Sequence, residues 1–232
     1  MVFLNPPHHT TALAFVSDAH AVVAQLDSDE RVGETMKYLI ELDDLYQSMT
    51  LNHVARRAST GQGVALLTLY SKGLSAPPSV TGWSTPSAEK ERTERLSTLI
   101  DAFKLKIRLE ATRGHLPVCW GILTAALGLS IERSQYLHLF LHARSLLSAA
   151  VRLNDIGPYA SQQILLHVAR PLVDAEVERC KSLRTGLVLK NEYNPMVDVT
   201  FDEEAMGPVS TWPLGEILAS RHDLQHSRIF NS

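Results

Sequence analysis

The stretch Val32–Met49, VGETMKYLIELDDLYQSM, decides the fold class. Its apolar side chains recur every three or four residues, at Met36, Leu39, Leu42, Leu45 or Tyr46, and Met49. Most of the charged side chains fall outside that stripe. Because an α-helix turns once every 3.6 residues, this spacing predicts an amphipathic helix with one apolar face toward a core.

Helical patterns also dominate the rest of the chain. Residues 11–26 are rich in Ala and Val, as expected of a buried helix, and residues 137–153 are apolar on most sides, which predicts a helix near the centre of a bundle. Pro171 should kink or divide the last long helix, because proline has no N–H to donate. Alternation typical of a strand occurs only at residues 196–201. We therefore predict an all-α protein with about seven helices.

The domain organisation follows from the Pro- and Gly-rich segments. Residues 1–190 are predicted to form one helical domain, a single-domain bundle interrupted by a Pro- and Ser-rich loop at 75–86. Residues 191–232 contain several Pro and Gly and an acidic run, which predicts an irregular, mostly extended C-terminal tail. A short amphipathic turn at residues 215–225 precedes the end of that tail.

The composition excludes several classes of protein. The 232 residues carry 22 Lys and Arg against 25 Asp and Glu, a net charge of -3, which argues against nucleic-acid binding. The apolar stretch at 116–129 is shorter than the roughly 20 residues that a bilayer requires, and the start of the chain does not resemble a signal peptide. Cys119 and Cys180 lie far apart, which is typical of a reducing compartment. We expect a cytoplasmic protein with no membrane segment.

Small residues characterise the predicted helix at 52–74. Gly61 and Gly63 both fall inside it, and glycine in a helix costs about 1 kcal/mol relative to alanine. We therefore expect another backbone to pack closely there. Because these glycines do not follow a strand, they do not indicate a phosphate-binding loop.

Asp43 and Asp44 suggest one catalytic alternative. Paired aspartates on a helix hold magnesium in all-α enzymes that act on diphosphates, and carboxylate oxygens suit that hard cation. Here Gln47 occupies the position of the third acid, and no second acidic half-site follows. The favoured interpretation is a solvated acidic helix face.

His138 and His142 suggest a second alternative, a histidine-based nickel carrier. Their spacing of four places both rings on one helix face, but Leu139 occupies the position of the glutamate in a zinc-protease motif. A polar seam toward a neighbouring helix or chain is the favoured interpretation. For Cys119, apolar neighbours favour a small buried hydrophobe over a reactive thiol. We predict no catalytic residues, no metal site and no cofactor.

Two segments have the composition of a protein interface. One is the basic pair Arg56-Arg57, and the other is the end of the chain, SRIFNS at residues 227–232. An arginine beside aliphatic and aromatic side chains is typical of an interface anchor. The alternative is a frayed terminus that folds back on its own core.

Four motifs in this order resemble the UreF family of urease accessory proteins. RRASTGQG at residues 56–63 resembles the family's RRASxxQG helix, and the HLPV…AALGL element at 115–129 resembles H-x-PVxxG…AALGL. SAAVRL at 148–153 with IGP at 156–158 resembles SAAVRL…GPxxxQ. The ending at residues 222–232 resembles HE…SRLFxS.

The resemblance implies an all-α helper with no catalysis of its own. Such proteins dimerise, bind the accessory protein UreD (also called UreH) and recruit the nickel-carrying GTPase UreG, so that nickel reaches apo-urease. The resemblance implies that the C-terminal arm orders on the UreD-type partner. The partner-binding residues that it and the composition indicate here are Ser227, Arg228, Ile229, Phe230, His222, Arg56 and Arg57.

The amino-terminal part departs from the family pattern. The segment P-x-G-x-F…S-x-GLE, part of the surface that meets UreG, has no counterpart here, and the resemblance becomes recognisable only near Leu39. We therefore expect an amino-terminally short member, with the place of the first helix in the bundle empty and apolar surface exposed around it.

Overall fold

The computed structural model describes residues 7–26, 28–75, 87–187 and 213–224, and every regular element within them is helical. The α-helices are α1 (Pro7–Ala24), α2 (Val32–Met49), α3 (His53–Leu69), α4 (Ser87–Arg108), α5 (Leu116–Ala126), α6 (Ile131–Arg152), α7 (Pro158–Gln163), α8 (Arg170–Cys180) and α9 (Pro213–Ser220). The all-α prediction is confirmed. The loop predicted at 75–86, apart from Ser75, and the strand pattern at 196–201 lie outside the described residues.

Helices α1 and α5 pack together at the centre of the bundle. Every residue of α5 from Pro117 to Ala125 is buried. A Cβ atom on Gly121 would lie only 2.7 Å from the Cβ of Ala19 and 2.7 Å from the carbonyl oxygen of Val16. Glycine is therefore required where the two helix backbones meet. The main apolar core forms around this contact, with further side chains from α2, α3 and α4.

The expectation of an empty first-helix position is wrong. Helix α1 occupies the centre of the bundle, and Phe15, Val16 and Ala19 have no exposed surface. The buried helix predicted at residues 11–26 is this element. Its side chains pack against α5 in the main core, so a segment without the expected family motif fills this position by apolar packing.

The predicted central position of residues 137–153 is also wrong. These residues lie in α6, whose buried residues are Ser134, Gln135 and Leu139, all in its first half. Leu146 and Leu153 are 49% and 50% exposed. An apolar pattern on most sides of a helix does not distinguish a buried helix from one that keeps apolar side chains at the surface. Helix α5 takes the central place.

The helix ends lie at residues whose chemistry suits them. Gly128, with φ of 71°, ends the turn after α5. Ser130 caps α6, and its hydroxyl oxygen accepts from the backbone N–H of Arg133. Pro171 lies in the first turn of α8, and the segment before it, Ile164–Ala169, is π-helical. The predicted long helix is therefore interrupted by a change of helix type, while the backbone stays helical from residue 158 to residue 180.

Part of the predicted extended tail is helical. Helix α9 is followed by a 3-10 turn, Arg221–Leu224, in the region where the sequence predicts an amphipathic turn. A second π-helical segment, Tyr70–Leu74, continues α3. Among the helices described, none has the length and apolar character needed to cross a bilayer.

Candidate partner-binding surface

Asp43 on α2 fixes the loop that precedes α5. Its Oδ2 atom accepts hydrogen bonds from the Thr112 hydroxyl at 2.6 Å and from the backbone N–H groups of Arg113 and Gly114 at 2.7 and 2.8 Å. Its Oδ1 atom accepts from the backbone N–H of His115 at 2.7 Å. The carboxylate has no exposed surface. It therefore replaces water as the partner of three buried donors and of the part-buried N–H of Arg113.

These contacts contradict both sequence interpretations of the aspartate pair. Asp43 does not lie on a solvated helix face, because it is fully buried. It does not share a cation with Asp44 either, since both of its oxygens accept from backbone donors and Asp44 lies on the exposed side of α2. Asp43 is a structural residue that joins α2 to the start of α5.

Helix α3 packs against the same loop through one of its two glycines. A Cβ atom on Gly63 would lie 2.2 Å from the carbonyl oxygen of Gly114 and 3.0 Å from the Sγ atom of Cys119. The Ser59 hydroxyl accepts from the backbone N–H of Leu116 at 3.0 Å. A Cβ atom on Gly61 would meet open space. The predicted close approach is confirmed at Gly63 and wrong at Gly61.

Two titratable side chains beneath this contact, His115 and Cys119, are shifted toward their neutral forms. Burial lowers the pKa of His115, whose Nε2 atom pairs with the Gln47 Oε1 atom at 2.7 Å. Burial raises the pKa of the Cys119 thiol well above its ordinary value, and the nearby Asp43 carboxylate adds to that shift. The prediction that Cys119 is a small buried hydrophobe is confirmed.

On its outer side, α3 binds the end of the α9 segment. The Arg57 guanidinium donates to both carboxylate oxygens of Asp223, from Nη2 to Oδ1 at 2.9 Å and from Nη1 to Oδ2 at 3.2 Å. The Nε2 atom of His53 lies 3.2 Å from the same Oδ2 atom. Hydrogen bonds from Arg57 hold the pKa of Asp223 well below its ordinary value. Asp223 therefore remains charged at neutral pH.

The two arginines of the predicted basic pair have different roles. Arg57 makes the contact with Asp223, whereas the Nε atom of Arg56 donates to the backbone carbonyl of Thr50, in the connection between α2 and α3. The structure thus places Arg57 at a surface contact with the C-terminal segment. Arg56 stabilises the local turn.

Helix α9 carries an exposed apolar face. Leu214, Ile217 and Leu218 are 60%, 60% and 57% exposed, whereas Gly215 is buried. The spacing i, i+3, i+4 places the three large side chains on one side of the helix. Helices that dock into an apolar groove of another protein present their anchors in this pattern. We call these three residues the α9 apolar face.

The other predicted site residues are partly described. Ser227, Arg228, Ile229 and Phe230 lie outside the described residues. His222 lies in the 3-10 turn after α9, and its side chain also falls outside the description. The structure thus brings Arg57 beside Asp223, the direct neighbour of His222 in the sequence.

His138 of α6 contacts a neighbouring helix. Its ring lies edge-on to Trp120 of α5, with the centroids 5.6 Å apart. Burial lowers the pKa of His138 to about 4, with a further contribution from His142. Across the described ranges, no three His, Cys, Asp or Glu side chains converge in a group that could hold a metal.

Sequence reasoning missed two residues that organise this structure, Asp18 and His53, and it missed the structural roles of Asp43 and Asp223. Asp18 on α1 resembles Asp43, because its Oδ2 atom accepts from the backbone N–H and the hydroxyl of Thr185, at 2.8 and 2.5 Å, after α8. Asp43 was detectable, since it follows Leu39 by four residues and so lies on the apolar face of α2. Asp223 corresponds to the acidic residue of the resembled C-terminal motif.

Comparison with known proteins identifies the family. The family model described as UreF matches residues 3–169. The chain belongs to the UreF family. Because the match begins at residue 3, the expectation that the family pattern starts only near Leu39 is wrong, in agreement with the central position of α1.

Curated relatives support the same assignment. "Urease accessory protein 6" of Cryptococcus neoformans var. grubii is 46% identical over 211 residues, covering 88% of this chain and 66% of the relative. "Uncharacterized urease accessory protein UreF-like" of Schizosaccharomyces pombe is 29% identical over 199 residues, covering 86% and 71%. "Urease accessory protein F" of Oryza sativa subsp. indica is 29% identical over 159 residues, covering 68% and 52%.

The chain thus spans just under two thirds of the length of the Cryptococcus relative. No solved structure gives a significant match to this chain.

Proposed function

We propose that this UreF-family chain is a non-catalytic scaffold for urease maturation in the cytoplasm. It binds a UreD/UreH-type accessory protein and recruits or regulates the nickel-carrying UreG GTPase, so that nickel is inserted into apo-urease. The observation that carries the proposal is the α9 apolar face, which is exposed beside α3, the helix that contains the RRAS motif. The relatives named as urease accessory proteins support the same role.

The use of polar groups in the interior supports a scaffold rather than an enzyme. Asp43, His115 and Cys119 are the buried titratable residues nearest the contact between α3 and α5. The first two are engaged in hydrogen bonds that hold the fold, and the third is a protonated thiol. A catalytic group must reach a substrate, whereas these three side chains are enclosed by the bundle.

The arm at the end of the chain is the proposed anchor for the UreD-type partner. Ile229 and Phe230 would fill apolar pockets of that partner, and Arg228 would donate charge-assisted hydrogen bonds there. Truncating an arginine in such a buried pair costs about 2–5 kcal/mol of association.

A truncation tests this role. Deleting residues 227–232 should abolish co-purification with the UreD-type partner while leaving the thermal unfolding of the isolated chain unchanged. Arg228→Ala should give most of the loss, whereas Arg221→Ala, at an exposed arginine in the 3-10 turn, serves as the matched control and should bind normally. Undiminished capture by the truncated chain would remove the arm from the mechanism.

Homodimerisation is the second interaction that we propose. Leu146 on α6, Leu153 just after it and Leu166 in the π-helical segment are 49–59% exposed, so these apolar side chains are available for burial against a second copy. Sedimentation over a hundredfold range of concentration should show a dimer that dissociates on dilution. A monomer at every concentration would contradict this part of the proposal.

A further inference from the structure

His53, Arg57 and Asp223 form a three-residue cluster between two helices that are distant in the sequence. His53 and Arg57 are four residues apart on α3, so their side chains emerge from the same face. Both reach one carboxylate, that of Asp223, which stands at the end of the segment containing α9. The Asp223 side chain is 29% exposed, compared with 60% for His53 and 52% for Arg57.

The geometry is that of a carboxylate-binding clamp. The Arg57 guanidinium engages both oxygens with two N–H groups, the paired arrangement in which arginine recognises a carboxylate with directional specificity. His53 approaches Oδ2 from a second residue, so the carboxylate is held at three points. An isolated exposed ion pair adds little stability, and a bidentate pair with a third partner adds more.

From this cluster we infer that His53 and Arg57 form a carboxylate clamp on α3, that its ligand is the chain's own Asp223, and that it holds α9 with its apolar face outward. The inference rests on the proposed function only in assigning the α9 apolar face to partner binding. The clamp fixes the chain at residue 223, four residues before the proposed anchor begins at Ser227. Arg57 therefore serves partner binding indirectly, by positioning α9.

Helix α9 has a buried and an exposed side. Gly215 is buried, whereas Leu214 and Ile217 are each 60% exposed. A helix of eight residues is marginal in water by itself, so it needs tertiary contacts to persist. The ionic cluster supplies one such contact at the end of the segment.

Hydrogen exchange of the isolated full-length chain tests the clamp without any partner. Asp223→Lys and Arg57→Glu should each accelerate exchange of the backbone amides of residues 216–224 by about threefold to tenfold. The double variant Arg57→Glu/Asp223→Lys restores an opposite-charge pair with reversed polarity. Its exchange should return to within about twofold of the wild type. Arg221→Glu changes the charge by the same amount as Arg57→Glu and should leave the exchange unchanged.

Two results would overturn the inference. One is exchange within twofold of the wild type in both single variants, and the other is a double variant that exchanges as fast as the singles. If Arg57→Glu lowers the unfolding temperature of the whole chain, Asp223→Asn replaces it as the test, because that position lies at the end of an outer segment. Exchange at residues 116–126 of α5 should stay constant in every informative variant.

The outcome is separable from that of the proposed function. If the clamp fails this test while deletion of residues 227–232 still abolishes capture of the UreD-type partner, the scaffold role stands without the clamp. If the clamp passes and the deletion has no effect on capture, α9 is positioned by the clamp but the arm is not the anchor.

Discussion

The loop held by Asp43 and the α9 apolar face differ most clearly in their exposure to solvent. Around Asp43, four donors meet two carboxylate oxygens in a site with no exposed surface. On α9, three large apolar side chains are each more than half exposed. The first region is determined entirely by its own chain. In the second region, the apolar side chains are exposed and available to a binding partner. Substitutions that lower stability should therefore differ from those that weaken partner binding.

The largest effect on stability is expected from Asp43→Ala. The substitution leaves the hydroxyl of Thr112 and three backbone N–H groups buried without their acceptor, which should lower the free energy of unfolding by about 3–5 kcal/mol. Urea denaturation followed by circular dichroism measures the change. Asp44→Ala is the matched control and should stay within about 0.5 kcal/mol of the wild type. Equal effects at the two positions would show that Asp43 is not the organising residue.

A smaller effect of the same kind is expected at Gly63. An added methyl group at this position would lie 2.2 Å from the Gly114 carbonyl oxygen, so α3 and the loop must separate. Gly63→Ala should therefore lower the free energy of unfolding by about 2–3 kcal/mol. Gly61→Ala, where the methyl group meets open space, should raise it by about 0.5–1 kcal/mol through helix propensity. The two alanine variants would contradict the account if their effects had the same sign.

A pH dependence of intermediate size is expected from His138. Burial lowers its pKa to about 4 in the folded chain, below the ordinary value of 6.5. The unfolded chain therefore takes up the proton first as the pH falls through 6.5, and stability is lost from there down to about pH 4. Between pH 7 and pH 5 this group should contribute a loss of about 1–2 kcal/mol.

His138→Phe isolates that contribution. Phenylalanine keeps a ring against Trp120 but does not titrate, so the variant should lose less stability on acidification than the wild type. Burial lowers the pKa values of His20, His115 and His142 as well, so a residual pH dependence in the variant is expected. Parallel stability curves for the two proteins between pH 7 and pH 5 would argue that His138 can be protonated in the folded state.

The sequence predicts where the helices begin and end better than it predicts where each helix lies in the bundle. Caps and breaks depend on local sequence, so the interruption near Pro171 was predicted from its immediate neighbours, and Ser130 and Gly128 carry local signals of the same kind. Which helix lies at the centre depends on close approaches between distant segments. The contact of Gly121 with Ala19 is of that kind, and it places α1 and α5 in the middle in preference to α6.

The same limit applies to the candidate site. The basic pair and the composition of the C-terminal arm identify residues with interface chemistry, but not their contacts. The ion pair between Arg57 and Asp223 joins residues 166 positions apart, so no local pattern predicts it. The position of Asp43 on the apolar face of α2 could be predicted, but its hydrogen-bond partners could not. Its four donors come from a loop about seventy residues later in the chain.

The smallest effect on stability, and the largest on binding, is expected from the α9 apolar face. In the triple variant Leu214→Gln/Ile217→Gln/Leu218→Gln, glutamine keeps helix propensity while removing the apolar anchors. Since the three side chains are already exposed, the free energy of unfolding should change by less than about 0.5 kcal/mol. Leu105→Gln/Leu109→Gln, at exposed leucines at the end of α4 and just after it, is the matched control.

Co-purification of the triple variant with the UreD-type accessory protein, normalised to the folded chain, tests the central claim most directly. If the protein works by presenting exposed apolar helix faces to partners, capture should fall at least tenfold while the α4 control binds like the wild type. Full capture by the triple variant, with its fold intact, would contradict the account.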